Sequence, residues 1–403
     1  HLDLQIAEAW LPPELVLEGG LDLHAEAEQS ADGRWQAELE TTLTPGELRI
    51  PGLEGEALRF YYRDGRVNAR LHAQQLDASA ALTLDQRGLI DSHLTLRALP
   101  DDWDLRAVPL EGQLTLLIDN LDLLDALIPA VEQASGVVAV DLQLGGHADA
   151  PRLYGSARIN EMALDLPDAG LRLRHLTLQA ESEWGEPLIL NGRVQSGEGA
   201  LHLKGVIRLD PQAGWPTTIE VSGERFKTLD TPEIRLYLSP DLALRATTEA
   251  VRLSGEVAIP EARIILRELP PGSVAISDDE VIMGESSAPP DAEAIPLYAD
   301  LNIALGEKVS FEGFDFKAIL GGRMGIVVQP AQAVEGRGEL IIEEGRYRAY
   351  GQDLTIENGR LSFAGPIDNP GLSLRATRAA KDSSGVVAGI AVTGQANDPR
   401  VAL

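Results

Sequence analysis

Apolar residues recur at every second position in segment after segment of this 403-residue chain, and a period of two is the period of a strand. The runs Leu21/Leu23/Ala25/Ala27, Trp35/Ala37/Leu39, Val67/Ala69/Leu71, Leu114/Leu116/Ile118, Val138/Val140/Leu142/Leu144, Leu301/Ile303/Leu305 and Leu372/Leu374 carry it, mostly with polar or charged residues between. Leu, Ala, Glu and Arg favour helices, but a helical stripe needs apolar residues three and four apart, so pattern outvotes propensity. Each strand then has one apolar face and one wet face.

The turn chemistry points to antiparallel neighbours. Asp32-Gly33, Asp64-Gly65 and Asn358-Gly359 are pairs that tolerate the positive φ of tight hairpins. Leu171/Leu173 followed by Leu176/Leu178 slips by one residue at Arg174-His175, which predicts a β-bulge and a curved sheet. From Asp119 to Ser135 the spacing changes: Leu121, Leu124, Leu127/Ile128 and Val131 predict one short helix near 120–133, kinked by Pro129. The polar, proline-rich stretch Gly284–Glu293 predicts a loop over 284–295 that parts residues 1–283 from 296–403. Gly146-His147-Ala148-Asp149-Ala150-Pro151-Arg152 and Gly394-Gln395-Ala396-Asn397-Asp398-Pro399-Arg400 share Gly, Ala, Pro and Arg at the same offsets, each straight after an alternating strand, so one strand-exit device is used twice.

Composition removes several function classes. Without cysteine there is no disulfide and no thiolate metal site. A net charge of −29 repels nucleic acid and anionic headgroups. No apolar run reaches the eighteen or so residues of a membrane-spanning helix; Leu114–Ile118 ends at Asp119, and Leu121–Val131 contains Asp122 and Asp125. No H-E-x-x-H, G-x-S-x-G, G-x-x-x-x-G-K or EF-hand pattern occurs, the seven histidines are scattered, and no cofactor or metal is expected, so the chain reads as a non-enzyme. Gly197-Glu198-Gly199 and Gly336-Arg337-Gly338 each read as a turn or a strand start, since neither opens a helix after a strand, and Asp278-Asp279-Glu280 as a solvated turn. His1 and a final segment that stops within an alternation read as an excised fragment, with any signal or anchor outside it. A chain that repeats strand and turn can close barrels, build sandwiches or stack into one groove, and the scarcity of linkers favours an elongated groove.

The C-terminal half carries a run of distinctive motifs: Ile259-Pro260-Glu261-Ala262-Arg263-Ile264, Glu268-Leu269-Pro270, Val274 to Gly284 (V-A-I-S-D-D-E-V-I-M-G), and Leu305-Gly306 with Val309-Ser310-Phe311-Glu312-Gly313-Phe314. Gly338-Glu339-Leu340 follows, then Gly345 to Leu354 (G-R-Y-R-A-Y-G-Q-D-L) and Gly359 to Pro370 (G-R-L-S-F-A-G-P-I-D-N-P). In that order these motifs make the chain from Leu114 onward resemble the C-terminal part of the TamB family, the inner-membrane-anchored subunits of the translocation and assembly module. Residues 1–113 share the style of alternating strands and Gly-rich turns.

The resemblance implies an all-β, mainly antiparallel sheet curled like a taco around an apolar interior. It implies a protein of the Gram-negative periplasm, tethered to the inner membrane by an N-terminal anchor outside this segment and reaching TamA, an outer-membrane barrel. Two activities follow from it: a bridge conducting phospholipids between the membranes, or an assembly factor for outer-membrane barrels and autotransporters that pairs exposed strand edges with them. In the first, acyl chains would run along Leu114, Leu116 and Ile118; Val138, Val140, Leu142 and Leu144; and Leu301, Ile303, Leu305 and Phe311. Beyond them the lining would continue along Leu340 and Ile342; Leu354 and Ile356; and Leu361, Phe363, Leu372 and Leu374. Without the resemblance, the same leucines would fit a closed sandwich or barrel core.

Overall fold

The computed structural model describes residues 2–3, 16–30, 34–51, 57–84, 88–100, 105–121, 128, 130–208, 210, 213–266, 295–313, 315–349, 352–378 and 389–402. Strands fill almost all of them. In chain order they are β1 (Leu2–Asp3), β2 (Val16–Glu18), β3 (Gly20–Gln29), β4 (Trp35–Leu43), β5 (Gly46–Pro51), β6 (Ala57–His72), β7 (Gln75–Leu84), β8 (Gly88–Leu96), β9 (Leu110–Ile118), β10 (Glu132–His147), β11 (Ala150–Leu166), β12 (Leu171–Ser182) and β13 (Leu188–Ser196). There follow β14 (Gly199–Ile207), β15 (Thr217–Glu224), β16 (Phe226–Asp230), β17 (Ile234–Ala246), β18 (Val251–Leu266), β19 (Leu297–Gly313), β20 (Phe316–Val328), β21 (Glu335–Ala349), β22 (Gln352–Pro366), β23 (Gly371–Thr377), β24 (Gly389–Gln395) and β25 (Asp398–Ala402). Two single 3-10 turns, Leu105–Ala107 and Pro167–Ala169, are the helical elements among the described residues. The all-β reading of the alternation holds.

The chain forms two compact units, the first of His1–Asp168, Arg172–Gln195 and Lys204–Leu209, the second of Ala169–Leu171, Ser196–Leu203 and Asp210–Leu403. In the first, β3, β4, β6, β7, β8, β9, β10 and β11 pair in that order, all antiparallel, with β1 on β3 and the short β2–β5 pair hanging from β6. In the second, β17 takes β15 and β16 successively along one edge and β18 along the other, and β19 to β25 then meander antiparallel.

Among the described strand pairs, one breaks the antiparallel rule. β18 and β19 run parallel, from Val251↔Leu297 to Leu266↔Gly313, so the end of one and the start of the other lie roughly 50 Å apart at about 3.3 Å per residue. The expected 284–295 loop falls in this connection and, except for Ile295, outside the described residues.

Two expected turns are strand interiors. Gly65 lies within β6, just after a bulge between Tyr62 and Asp64, and a Cβ on it would come within 2.8 Å of Leu43 and of Leu82. Gly359 lies within β22, after a bulge between Ile356 and Asn358, where a Cβ would meet Ile342 at 2.6 Å. In both, glycine admits a neighbour's side chain rather than a reversal. Asp32-Gly33 lies outside the described residues. A real two-residue hairpin turn sits where no signal announced it: Ala73 and Gln74 take φ 48° and 63° between the paired His72 and Gln75. The Arg174-His175 slip is absorbed inside β12, where His175 takes φ 49°.

Of the helix expected near 120–133, residues 122–127 and 129 lie outside the described residues, and Glu132 and Gln133 already belong to β10. The helical spacing has another use: Leu121, Val131 and Ala134 pack with Met162 and Leu164 in a cluster under one end of β10 and β11.

Candidate functional site

In the first unit the ladder registers bring the alternating apolar residues into rows that cross the strands at right angles. One row runs Leu21, Leu43, Gly65, Leu82, Ile90, Leu116, Val140 and Ala157; the next runs Leu23, Thr41, Val67, Ala80, Ser92, Leu114, Leu142 and Gly155. A third runs Ala25, Leu39, Ala69, Ala78, Leu94, Gly112, Leu144 and Leu153. Ile118 joins Gly88 and Val138 in a neighbouring row. No charged side chain interrupts these rows. The opposite face of the same strands shows Asp22, Thr42, Arg66, Asp91, Thr115 and Asp141 in one row and His24, Glu40, Asn68, His93, Gln113 and Gln143 in another.

The second unit repeats the arrangement. Val257, Ile303, Met324, Gly338 and Phe363 form one row; Ile259, Leu305, Gly322, Leu340, Leu361 and Leu372 form another. Leu301 lies between Gly255 and Ile326. Ile264, Phe311, Ala318, Gly345, Ile356 and Ala376 make a third row, Leu320, Ile342, Gly359, Leu374 and Val392 a fourth, and Leu354 pairs with Tyr347 beside Phe316. Asn302, paired with Glu256 and Gly325, points to the other face.

All nineteen residues named from the sequence therefore fall on the apolar faces, on six strands: β9 and β10 pair directly, as do β21, β22 and β23, while β19 is parted from β21 by β20. Missed by the sequence reading were Leu82, Ile90, Leu253, Val257, Ile259, Met324, Ile326, Ile390 and Val392, although R-L-S-G-E-V-A-I over 252–259 carries the same alternation. Also missed were the in-facing glycines, which have no side chain to show a period.

These faces are not a closed core. A sandwich interior would hide every large side chain, yet Leu114 is 37% and Leu23 is 49% exposed, and Leu116, Val140, Leu142, Ile303, Leu305, Phe311, Leu361 and Phe363 are only half-buried. Fully buried clusters form locally, around Leu21, Leu43, Tyr62 and Leu84, around Leu96, Leu99, Val108 and Leu110, and around Ala318, Ile342 and Ile356. Packing is thus local: of the residues named from the sequence Ile342, Leu354 and Ile356 are buried, while the others remain at least partly accessible.

Glycines shape the face. Gly155 and Gly255 take φ 135° and 138°, and a Cβ on either would lie 2.1 Å from the carbonyl oxygen of Asp141 or Asp241 on the neighbouring strand. Gly322 and Gly338 do the same beside Glu339 and Arg323. Such positions let adjacent backbones approach and twist, which is how a sheet gains local curl. The repeated strand-exit device is structural too: Gly146 and Gly394 take φ 95° and 104°, and a Cβ on each would sit 2.8 or 2.7 Å from the carbonyl of Ala150 or Asp398.

The polar faces are laced by ion pairs. Arg97 meets Glu111 at 2.8 Å, Arg158 meets Glu181 at 2.7 Å, and Arg70 meets Glu38. Asp230 accepts from Lys227 Nζ and Arg235 Nε, both at 2.8 Å; these bonds hold its carboxyl below, and the Lys227 ammonium above, their ordinary ranges. Among the described residues no group of His, Cys, Asp and Glu could hold a metal ion, and no helix is long and apolar enough to cross a membrane.

Comparison with known families fits this geometry. The family model described as "TamB C-terminal domain" matches residues 190–403, and "TamB, N-terminal domain" matches residues 1–159, so the likeness extends through the stretch where the sequence motifs showed only style. The chain is 26% identical over 372 residues to the "Translocation and assembly module subunit TamB" of Haemophilus influenzae, covering 87% of this chain and 28% of that protein. A charge-free alternating sheet face in each unit, matched by a domain model that spans more than half of its length, makes this chain a member of the TamB family.

Proposed function

We propose that this chain is a stretch of a periplasmic bridge in the Gram-negative envelope, part of a translocation and assembly module, and that phospholipid acyl chains travel along its apolar sheet faces towards the outer-membrane barrel TamA. The observation that supports it is the pairing of two properties on one surface: the rows carry no charge, and most of their large side chains are partly exposed rather than sealed. Exposed apolar area costs about 25 cal/mol per Å² in water, so a face of this extent needs an apolar occupant. Each acyl methylene taken up contributes about 0.8 kcal/mol, enough to draw a chain out of a bilayer only where the lining is continuous. The acidic opposite faces keep the protein in water.

Photo-crosslinking in cells tests the reading. Crosslinkers at Leu116, Val140, Ile303 and Leu361 capture phospholipid, and those at the alternate positions Gln113, Thr115, Asp141 and Asn302 do not. Equal labelling of both sets, or of neither, refutes a lipid-bearing face.

A further inference from the structure

An aromatic cluster stands on the polar face of the first unit. Between β12 and β13 the chain turns through Glu183-Trp184-Gly185-Glu186, the Glu186 amide donating to the Glu183 carbonyl at 3.0 Å and Gly185 taking φ 79°. Trp184 stands on this turn, and its ring is already held. The edge of its six-membered ring comes down on Gly145, where a Cβ would lie 2.2 Å from it. Tyr154 meets it edge to face with centroids 5.0 Å apart, and the Arg152 guanidinium lies 5.8 Å from its centroid. Even so, Trp184 is 46% exposed. An aromatic fixed by three neighbours and open to solvent has lost its rotamer freedom before a ligand arrives, so stacking on it carries little further ordering cost.

Beside the ring is an open pocket of about 790 Å³. Tyr154, Trp184, Pro187 and Ile189 supply its apolar wall, and Asp141, Glu181, Glu183 and Glu186 its carboxylates. Glu181 is paired with Arg158, whereas Asp141, Glu183 and Glu186 have no ion-pair partner among the described residues. Aromatic faces and unpaired carboxylates select the same ligand charge. Arg158, paired with Glu181, also lines the pocket and Arg152 stands against the ring, but the three unpaired carboxylates outnumber them. A cation therefore gains about 0.5–2 kcal/mol at the rings plus attraction to the carboxylates, an anion is repelled, and a neutral group uses only the rings. The chain's net charge of −29 concentrates cations around it. A bare inorganic ion would leave the apolar wall unused; an alkylguanidinium or alkylammonium fills it with its stem.

We propose that this pocket docks a lysine or arginine side chain of a basic protein partner, presented on an extended segment passing over the β12–β13 turn. Openness suits a side chain still attached to its backbone, and the Trp, Tyr and Arg composition is that of interface hot spots. The proposal is independent of the lipid-bearing face, which lies on the other side of the same strands.

The test is binding of a peptide alternating Arg and Gly, by calorimetry in physiological salt. Trp184→Ala should weaken it roughly tenfold, and Gly145→Val, whose side chain occupies the place of the ring edge, should do the same. Glu183→Gln with Glu186→Gln, both exposed, should weaken it and flatten its salt dependence while the far-UV spectrum stays unchanged. Glu28→Gln with Asp91→Asn, carboxylates elsewhere on that face, should shift it by less than about twofold. The proposal fails if the second pair weakens binding as much as the first, showing a diffuse field, or if neither Gly145→Val nor the Glu183/Glu186 pair matters. It fails equally if free arginine binds as tightly as the peptide, or if a neutral oligosaccharide binds there without salt dependence and displaces it.

Discussion

Gly255 faces Leu242 across the β17–β18 pair with φ 138°, and a Cβ on it would lie 2.1 Å from the Asp241 carbonyl oxygen. The same relation joins Gly155 to Leu142 across β10–β11, with φ 135° and the Asp141 carbonyl at 2.1 Å. The hairpins share more than this: Asp-Leu-x-Leu leads into Arg-Leu-x-Gly in both, and Leu144 opposes Leu153 as Leu244 opposes Leu253. Each unit therefore holds a copy of one device. Gly255→Ala should cost about 3 kcal/mol or more, because a left-handed φ and a backbone collision add, and Gly155→Ala should cost as much. Urea denaturation of each variant against the parent measures it; a loss below about 1 kcal/mol would show that the strands part freely here.

Ile303 sits between Val257 and Met324 and is only half-buried. On a partly wet face Ile303→Asp leaves the carboxylate hydrated, so the variant should stay folded and abundant while acyl chains stop at a charge they cannot pass without desolvating it. Phospholipid transfer between membranes should fall to background with circular dichroism unchanged. Unfolding, or full transfer, would contradict the open-face reading.

Asp230 gives the second unit an acid limit. Its carboxyl is held low by Lys227 and Arg235, so its contribution is complete above the unfolded value of about 3.9 and is lost as pH falls through the lower folded value. Asp230→Asn should cost about 1 kcal/mol at pH 7, and the difference from the parent should shrink below pH 4. Denaturation curves at several pH values check the sign.

Tyr62 is 1% exposed and donates its hydroxyl to the Glu18 carbonyl at 2.9 Å, tying the β2–β5 pair to β6. Tyr62→Phe keeps the packing with Leu21, Leu43 and Leu84 but leaves that carbonyl without its donor. A loss of about 1–2 kcal/mol is expected, with faster amide exchange across residues 16–18 and 46–51. Unchanged exchange there would mean that the bond holds nothing in place.

The sequence by itself determined the strands and their two-faced character. A period of two survives any register, so Leu114, Val140, Ile303 and Leu361 were legible as members of one kind of face before any partner strand was known. It did not determine which strands meet. The parallel β18–β19 pair, the turn at Ala73-Gln74 and the use of Gly65 and Gly359 inside strands depend on neighbours distant in the chain. Alternation cannot distinguish a sealed core from an open face either, because both bury the same side chains against one another. Only the tertiary structure decided that rows such as Leu23 and Leu114 stay accessible, since accessibility is set by what packs over a face and not by the residues that compose it. The Trp184 cluster was invisible for the same reason: its holder is Gly145, a residue with no side chain, brought beneath the ring by the pairing of strands.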